Sequence, residues 1–207
     1  DWVHEGQLLD PVCRDIEALF LSSQERVTGV VNVMLRPVGG PADIIDTGYE
    51  PSLSADGRYL AYTHKTPGKC REVRVFDLVR RAQVPLPGVN TGECASAPTL
   101  SANGALLAWA VPRSASRAPQ FTADPGDIHL YDIPARRDIP LPTVNTPDEE
   151  SSPSLSAGGG LLAYINRSGS WPAVRLVDIS QARTKGTATQ VPLPGLPVPV
   201  APRQSQR

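Results

Sequence analysis

Residues 51–87 read PSLSADGRYLAYTHKTPGKCREVRVFDLVRRAQVPLP, and most of the chain beyond residue 87 is that segment written again. It returns as PTLSANGALLAWA (98–110) with DIHLYDIPARRDIPLP (127–142), and as PSLSAGGGLLAYIN (153–166) with AVRLVDIS (173–180) and QVPLP (190–194). The marks keep step: Pro51, Pro98 and Pro153 stand two residues before Leu53, Leu100 and Leu155, and eleven before Tyr62, Trp109 and Tyr164. Asp77 precedes Pro85 by eight residues and Asp132 precedes Pro140 by eight. The period is 47 and then 55 residues, with length changes confined to loop-like stretches. That is the sign of stacked supersecondary units.

Each unit opens on a short β-compatible Pro-Ser/Thr-Leu-Ser, followed by Asp56-Gly57, Asn103-Gly104 or Gly158-Gly159. Such dipeptides supply positive φ at little steric cost, so this reads as a hairpin. The second strand (YLAYT, LLAWA, LLAYI) is apolar on both alternating faces, which predicts cover on both sides. The third (73–78, 128–133, 174–179) alternates and places Arg74, His129 and Arg175 at outward positions. The fourth is short and flanked by prolines, which suits an edge. Each unit is therefore predicted to be a four-stranded antiparallel meander. A small isolated sheet cannot hide two apolar faces, whereas sheets packed face to face around an axis can, and that arrangement is a β-propeller. The predicted class is all-β, with about four blades at 8–47, 48–91, 92–146 and 147–197, closing alone or as an arc completed by terminal segments, another copy or a partner.

The first blade is degenerate: it lacks the Pro-Ser-Leu-Ser hairpin and the aspartate after strand three, as terminal repeats often do. Residues 1–7 would add a strand at the closure or fray, and 198–207 form a proline-rich extended tail. A net charge of −1 argues against nucleic acid or an anionic membrane as partner. There is no apolar run of eighteen residues, hence no expected direct membrane insertion, and any export signal is expected to have been removed.

The pattern PSLSADGRYLAYT followed by VRVFDL resembles the WD-repeat-like units of TolB-type bacterial β-propellers, over 48–197 well and over 8–47 poorly. The recurrent LPGVNT and LPTVNT look like the extracytoplasmic branch of that group. The resemblance implies a protein-docking platform of the cell envelope; relatives of this kind also gate peptidases. Asn103-Gly104 and Gly158-Gly159 depart from the family's Asp-Gly turn, so a function needing an aspartate ring there is not implied.

Among candidate chemical groups, Asp77, Asp132 and Asp178 are read as turn-fixing carboxylates rather than metal ligands. Asn90 and Asn145 are read as loop-shaping residues. In a meander, the loops from strand two to three and the connections between blades share one end. That end would collect Lys65, Arg113 and Arg167 with Glu50, Glu93, Asp148, Glu149 and Glu150. Surface solubility is the plain reading of these charges; partner docking is the functional one, and a divalent ion held by the carboxylates the third. Cys70 and Cys94 fall at the same end and are expected to pair in an oxidising compartment, leaving Cys13 odd. His4, His64 and His129 occupy unrelated positions, and no nucleophile elbow or nucleotide motif is present.

The expected function is a non-enzymatic scaffold without cofactor. It is placed outside the cytoplasm, as a peripheral subunit of a membrane-associated assembly with a protein partner. The alternative is a sugar-binding or hydrolytic propeller using the central channel, whose innermost strands offer Ser52, Ser54, Thr99, Ser101, Ser154 and Ser156. A third is self-association.

Overall fold

The computed structural model describes residues 23–24, 31–35, 41, 43–65, 70–92, 94–112, 126–168 and 172–193. The expectations for residues 1–22, Cys13, Glu93, Arg113 and 198–207 lie outside the described residues.

Strands β1 (Ser23–Gln24), β2 (Val31–Leu35), β3 (Asp43–Leu53), β4 (Tyr59–Lys65), β5 (Arg71–Asp77) and β6 (Ala82–Gln83) form one sheet in chain order. A second sheet holds β7 (Ser96–Leu100), β8 (Leu106–Pro112), β9 (Gly126–Asp132) and β10 (Arg137–Asp138). The third holds β11 (Glu149–Leu155), β12 (Leu161–Arg167), β13 (Ala173–Asp178) and β14 (Thr189–Gln190), with the four-residue helix α1 (Ala182–Lys185) before its last strand. Every pairing is antiparallel and sequential. The outer strands β6, β10 and β14 are two residues long, as their prolines require.

One boundary differs from the sequence reading. A separate fourth strand was expected to end near residue 47, yet the chain runs straight on. Asp43–Thr47 of β3 pairs with β2, and Gly48–Leu53 pairs with β4. No turn residues interrupt the segment, and Gly48 permits a close crossing: a Cβ there would lie 2.3 Å from the Thr63 carbonyl oxygen. The first two units thus share one six-stranded sheet.

Each innermost strand carries a bulge just before its proline. The register shifts between Tyr49 and Ser52, Ser96 and Thr99, and Ser151 and Ser154. The residue preceding proline is left-handed in all three, with φ of 55° at Glu50, 49° at Ala97 and 51° at Ser152. Proline has no N–H for the ladder, and a bulge gives it an unpaired place.

The core lies between successive units, including the first two, which pack on each other although they are joined through β3. Val33, Leu60 and Tyr62, with Leu53 and Phe76, fill the first seam; Ala61, Val73, Val75, Leu107, Trp109 and Tyr131 fill the second; Ala108, Ile128, Leu130, Val144, Leu162 and Tyr164 fill the third. This explains the doubly apolar second strand, since β8 is buried at six consecutive residues because it has a sheet on either side.

The seams repeat in detail. The Ala55 N–H donates to the Ala102 carbonyl at 2.8 Å and the Ala102 N–H to the Ala157 carbonyl at 3.0 Å. The hairpin glycines of the last two blades each take a side chain from the blade before: a Cβ on Gly104 would lie 2.3 Å from the Tyr59 ring, and one on Gly159 would lie 2.9 Å from Leu106 Cδ1. Gly159 also has φ +67°, whereas Gly158 faces open space. Gly159→Ala is therefore expected to cost about 2–3 kcal/mol, about 1 from the left-handed backbone and the rest from overpacking. Gly158→Ala should be neutral within about 0.5 kcal/mol. Urea unfolding of the two variants tests this, and equal costs would show that the glycine contact is not a seam contact.

Candidate functional site

At one end of the sheets the loop entering β5 meets the connection into β7. Cys70 and Cys94 are joined there by a disulfide, with Cα atoms 4.6 Å apart, and the Ala95 N–H donates to the Arg71 carbonyl at 2.9 Å. The loop-rich end is thus cross-linked between blades two and three. Glu50 reinforces it: its carboxylate accepts from the Ala97 N–H at 2.9 Å and from the Thr63 hydroxyl at 3.2 Å, and lies 3.9 Å from Arg71. The Arg71 guanidinium also sits over the Tyr49 ring, 4.6 Å from its centroid.

The charged residues expected at this end divide into three kinds. Lys65 ends β4 and is exposed, and Asp148 is half-buried, its N–H donating to the Thr146 hydroxyl at 3.2 Å. Arg167 and Glu149 face each other across β12 and β11, 3.4 Å apart. Glu150 corrects the sequence reading, because it is fully buried inside the chain and so lies away from any docking surface. Its carboxylate accepts from the Asn166 side-chain amide at 2.8 Å, from the Thr146 hydroxyl and from the Thr146 N–H at 3.2 Å. The strand period placed Glu149 and Glu150 on opposite faces, and only the neighbouring blade made one of those faces interior. Among the described residues no group of three His, Cys, Asp or Glu side chains is arranged to hold a metal ion.

The repeated asparagines pair with the third strand like a missing backbone. Asn90 accepts from the Val73 N–H at 2.9 Å and donates to its carbonyl at 2.8 Å; Asn145 does the same with Ile128 at 2.9 Å each way. The repeated aspartates cap turns. Asp77 accepts from Val79 and Arg80 N–H groups at 3.0 and 2.9 Å, Asp132 from Ala135 at 3.1 Å and Asp178 from Ser180 at 2.8 Å. Burial acts to raise the Asp77 carboxyl, but the Arg80 N–H and the Arg58 guanidinium outweigh it and leave the group below the usual range.

Sequence reasoning missed a polar centre between the first two units. The Asp46 carboxylate receives the Tyr62 hydroxyl at 2.8 Å and Arg74 at 2.9 Å, and stands 3.2 Å from His64 Nδ1, which is also 2.8 Å from the Thr47 carbonyl. The available signal was the repeated opposition of an aromatic and a basic ring or guanidinium: Tyr62 opposite Arg74, Trp109 opposite His129 and Tyr164 opposite Arg175. The outward positions expected for Arg74, His129 and Arg175 need correction. All three are half-buried and share the aromatic's face, since directly opposed residues in an antiparallel pair point the same way. The His129 ring stacks on Trp109 at 5.2 Å, beside a shallow cleft lined by Asn90, Thr91 and Asp138. Burial raises the Asp138 carboxyl there, with His129 acting in the opposite direction.

Burial acts to raise Asp46 too, yet the Tyr62 hydroxyl, the Thr47 N–H, His64 and Arg74 together hold it below the usual carboxylate range, while burial and Asp46 push Tyr62 up. A depressed carboxylate contributes stability that is whole above its unfolded value, about pH 4, and is lost as pH falls through the lower folded value. The acid limb of the stability curve should therefore be shallower in Asp46→Asn, with about 1–3 kcal/mol less stability at neutral pH. Unfolding midpoints between about pH 6 and pH 2 test this, and parallel curves would remove Asp46 from the acid response.

No family model matches the chain, and no curated protein does. Solved structures do. TolB from Acinetobacter baumannii matches at 20% identity and TM-score 0.52, over 80% of this chain and 39% of its own. A putative TolB from Agrobacterium tumefaciens matches at 13% identity and TM-score 0.56, over 80% and 57%. Pyrococcus horikoshii acylaminoacyl peptidase matches at 12% and 0.50, over 84% and 30%. The fold is that of a β-propeller, and this chain forms part of one. It spans 39% and 57% of the two TolB chains. At these identities the likeness concerns architecture, which TolB shares with a peptidase. No helix among the described residues is long and apolar enough to cross a membrane.

Proposed function

We propose that this chain is a non-catalytic, protein-binding propeller segment that works outside the cytoplasm as a peripheral part of a membrane-associated assembly. The observation that carries this reading is the cross-linked loop end. The Cys70–Cys94 disulfide and the Glu50 bridge hold two blade connections rigidly, while Lys65 stays exposed beside them and Arg167, Glu149 and Asp148 stand on the next connection. A rigid surface with charges of both signs meets a partner with little ordering cost and selects it by charge. The disulfide supports an oxidising compartment.

The inner strands support binding over catalysis. Three of the recurrent serines are committed to turns, since Ser54, Ser101 and Ser156 accept the Tyr59, Leu106 and Leu161 N–H groups at 2.8, 2.9 and 3.0 Å, while Ser154 is exposed. Ser52 accepts the Leu100 N–H of the next blade at 3.2 Å. Hydroxyls so engaged hold each hairpin and, at Ser52, two blades together, and serine alone supplies neither acid nor base near neutral pH.

The test is capture by the tagged chain from a native envelope fraction, comparing the wild type with Lys65→Glu and Asp148→Lys. The expected result is a defined protein partner whose retention falls about tenfold in the charge-reversed variants, with melting unchanged. Recovery without any partner, together with hydrolysis of peptide or glycoside substrates by the purified chain, would overturn it.

A further inference from the structure

We infer that the outward face of the last blade is a docking face for a second copy of this chain, forming a two-fold symmetric pair. The seams show what that face is built for. In the second blade Tyr59 and Ala61 of β4 with Val73 and Val75 of β5 meet the next sheet; in the third blade Leu106, Ala108 and Ala110 with Ile128 and Leu130 do so. The matching residues of the last blade are Leu161, Ala163 and Ile165 of β12 with Val174 and Leu176 of β13. They share one face by register, and all five are apolar. Yet Leu161 is 37% exposed and Val174 56%, where Ala61, Val73, Ala108 and Ile128 are at most 1% exposed. This face continues an established interface type, and among the described residues the alanine ladder that runs from blade to blade reaches the exposed turn of Ala157.

The charges around the face favour a second copy. Arg167 lies at one end of the apolar row and Asp178, opposite Leu161, at the other, both on the same side of the sheet. Glu149 engages one nitrogen of Arg167 and leaves other guanidinium donors available. A two-fold axis lying between two such sheets, across the strands at the level of Tyr164 and Arg175, midway between Arg167 and Asp178, reverses the strand direction. It brings each Arg167 within one strand spacing of the other copy's Asp178, inside the reach of the guanidinium, and sets the small Ala163 against the other copy's Ile165 near the centre, where the sheets approach. The row is self-complementary in shape and in charge, the condition for a symmetric interface.

Sedimentation velocity of the 207-residue chain over a concentration series tests this. The expected result is a reversible dimer whose Kd rises about tenfold in Arg167→Glu and with added salt, and at least about a hundredfold in Val174→Glu. Val174 is exposed in the single chain, so the melting of that variant's monomer should match the wild-type monomer. A truncation to 1–193 should dimerise as before. A wild-type monomer at every concentration overturns the inference, as does a dimer indifferent to Val174→Glu. Dimerisation appearing only after truncation also overturns it, because the tail would then be the occupant.

Discussion

Replacing Trp109 by alanine is expected to destabilise the protein by about 3–5 kcal/mol, the cost of removing a buried indole from a seam that cannot collapse around the gap. Trp109 is 4% exposed and sits in the second seam with Leu107, Val111 and Tyr131. Its loss would also leave the His129 ring without the surface on which it stacks. Trp109→Tyr should cost only about 1–2 kcal/mol, because the same position of the neighbouring blades is filled by Tyr62 and Tyr164. Urea unfolding monitored by far-ultraviolet dichroism separates the two variants. An alanine cost below about 1 kcal/mol would mean that the two sheets do not rest on each other there.

Reducing the disulfide, or replacing both cysteines in Cys70→Ser/Cys94→Ser, is expected to cost about 3–4 kcal/mol through the freed denatured chain, given a separation of 24 residues. With a urea dependence of about 2 kcal/mol per molar, the midpoint should fall by roughly 1.5–2 M. Because the bridge ties the loop entering β5 to the connection entering β7, the reduced protein should first lose amide protection at Arg71 and Ala95 rather than in the buried β8. Midpoints that coincide with and without reductant would remove the bridge from the stability of this fold.

Legibility along the chain depended on how far apart the interacting residues stand. The recurrence of proline, leucine and an aromatic at fixed offsets revealed the strands, their order and their edges, because alternation along a strand and turn chemistry at its ends are local properties. The same locality made Asp77, Asp132 and Asp178 legible as turn caps, and put Cys70 and Cys94 at one end of a meander. Glu150 and Asp46 were not legible. Whether a carboxylate one residue from another faces solvent or the interior depends on which sheet lies opposite, and the partners of Asp46 come from β4 and β5, sixteen to twenty-eight residues away.

Residue order alone was enough to specify a run of repeated antiparallel sheets with apolar faces on both sides, since periodicity within each strand needs no knowledge of the rest. Which of those faces are covered was settled by the packing of the whole chain. That packing ran the first two units into a single sheet through β3, buried Glu150 against Asn166, gathered Tyr62, His64 and Arg74 around Asp46, and left Leu161 and Val174 exposed on the matching face of β12 and β13. Burial belongs to pairs of sheets, and no sheet carries in its own residues the identity of its neighbour.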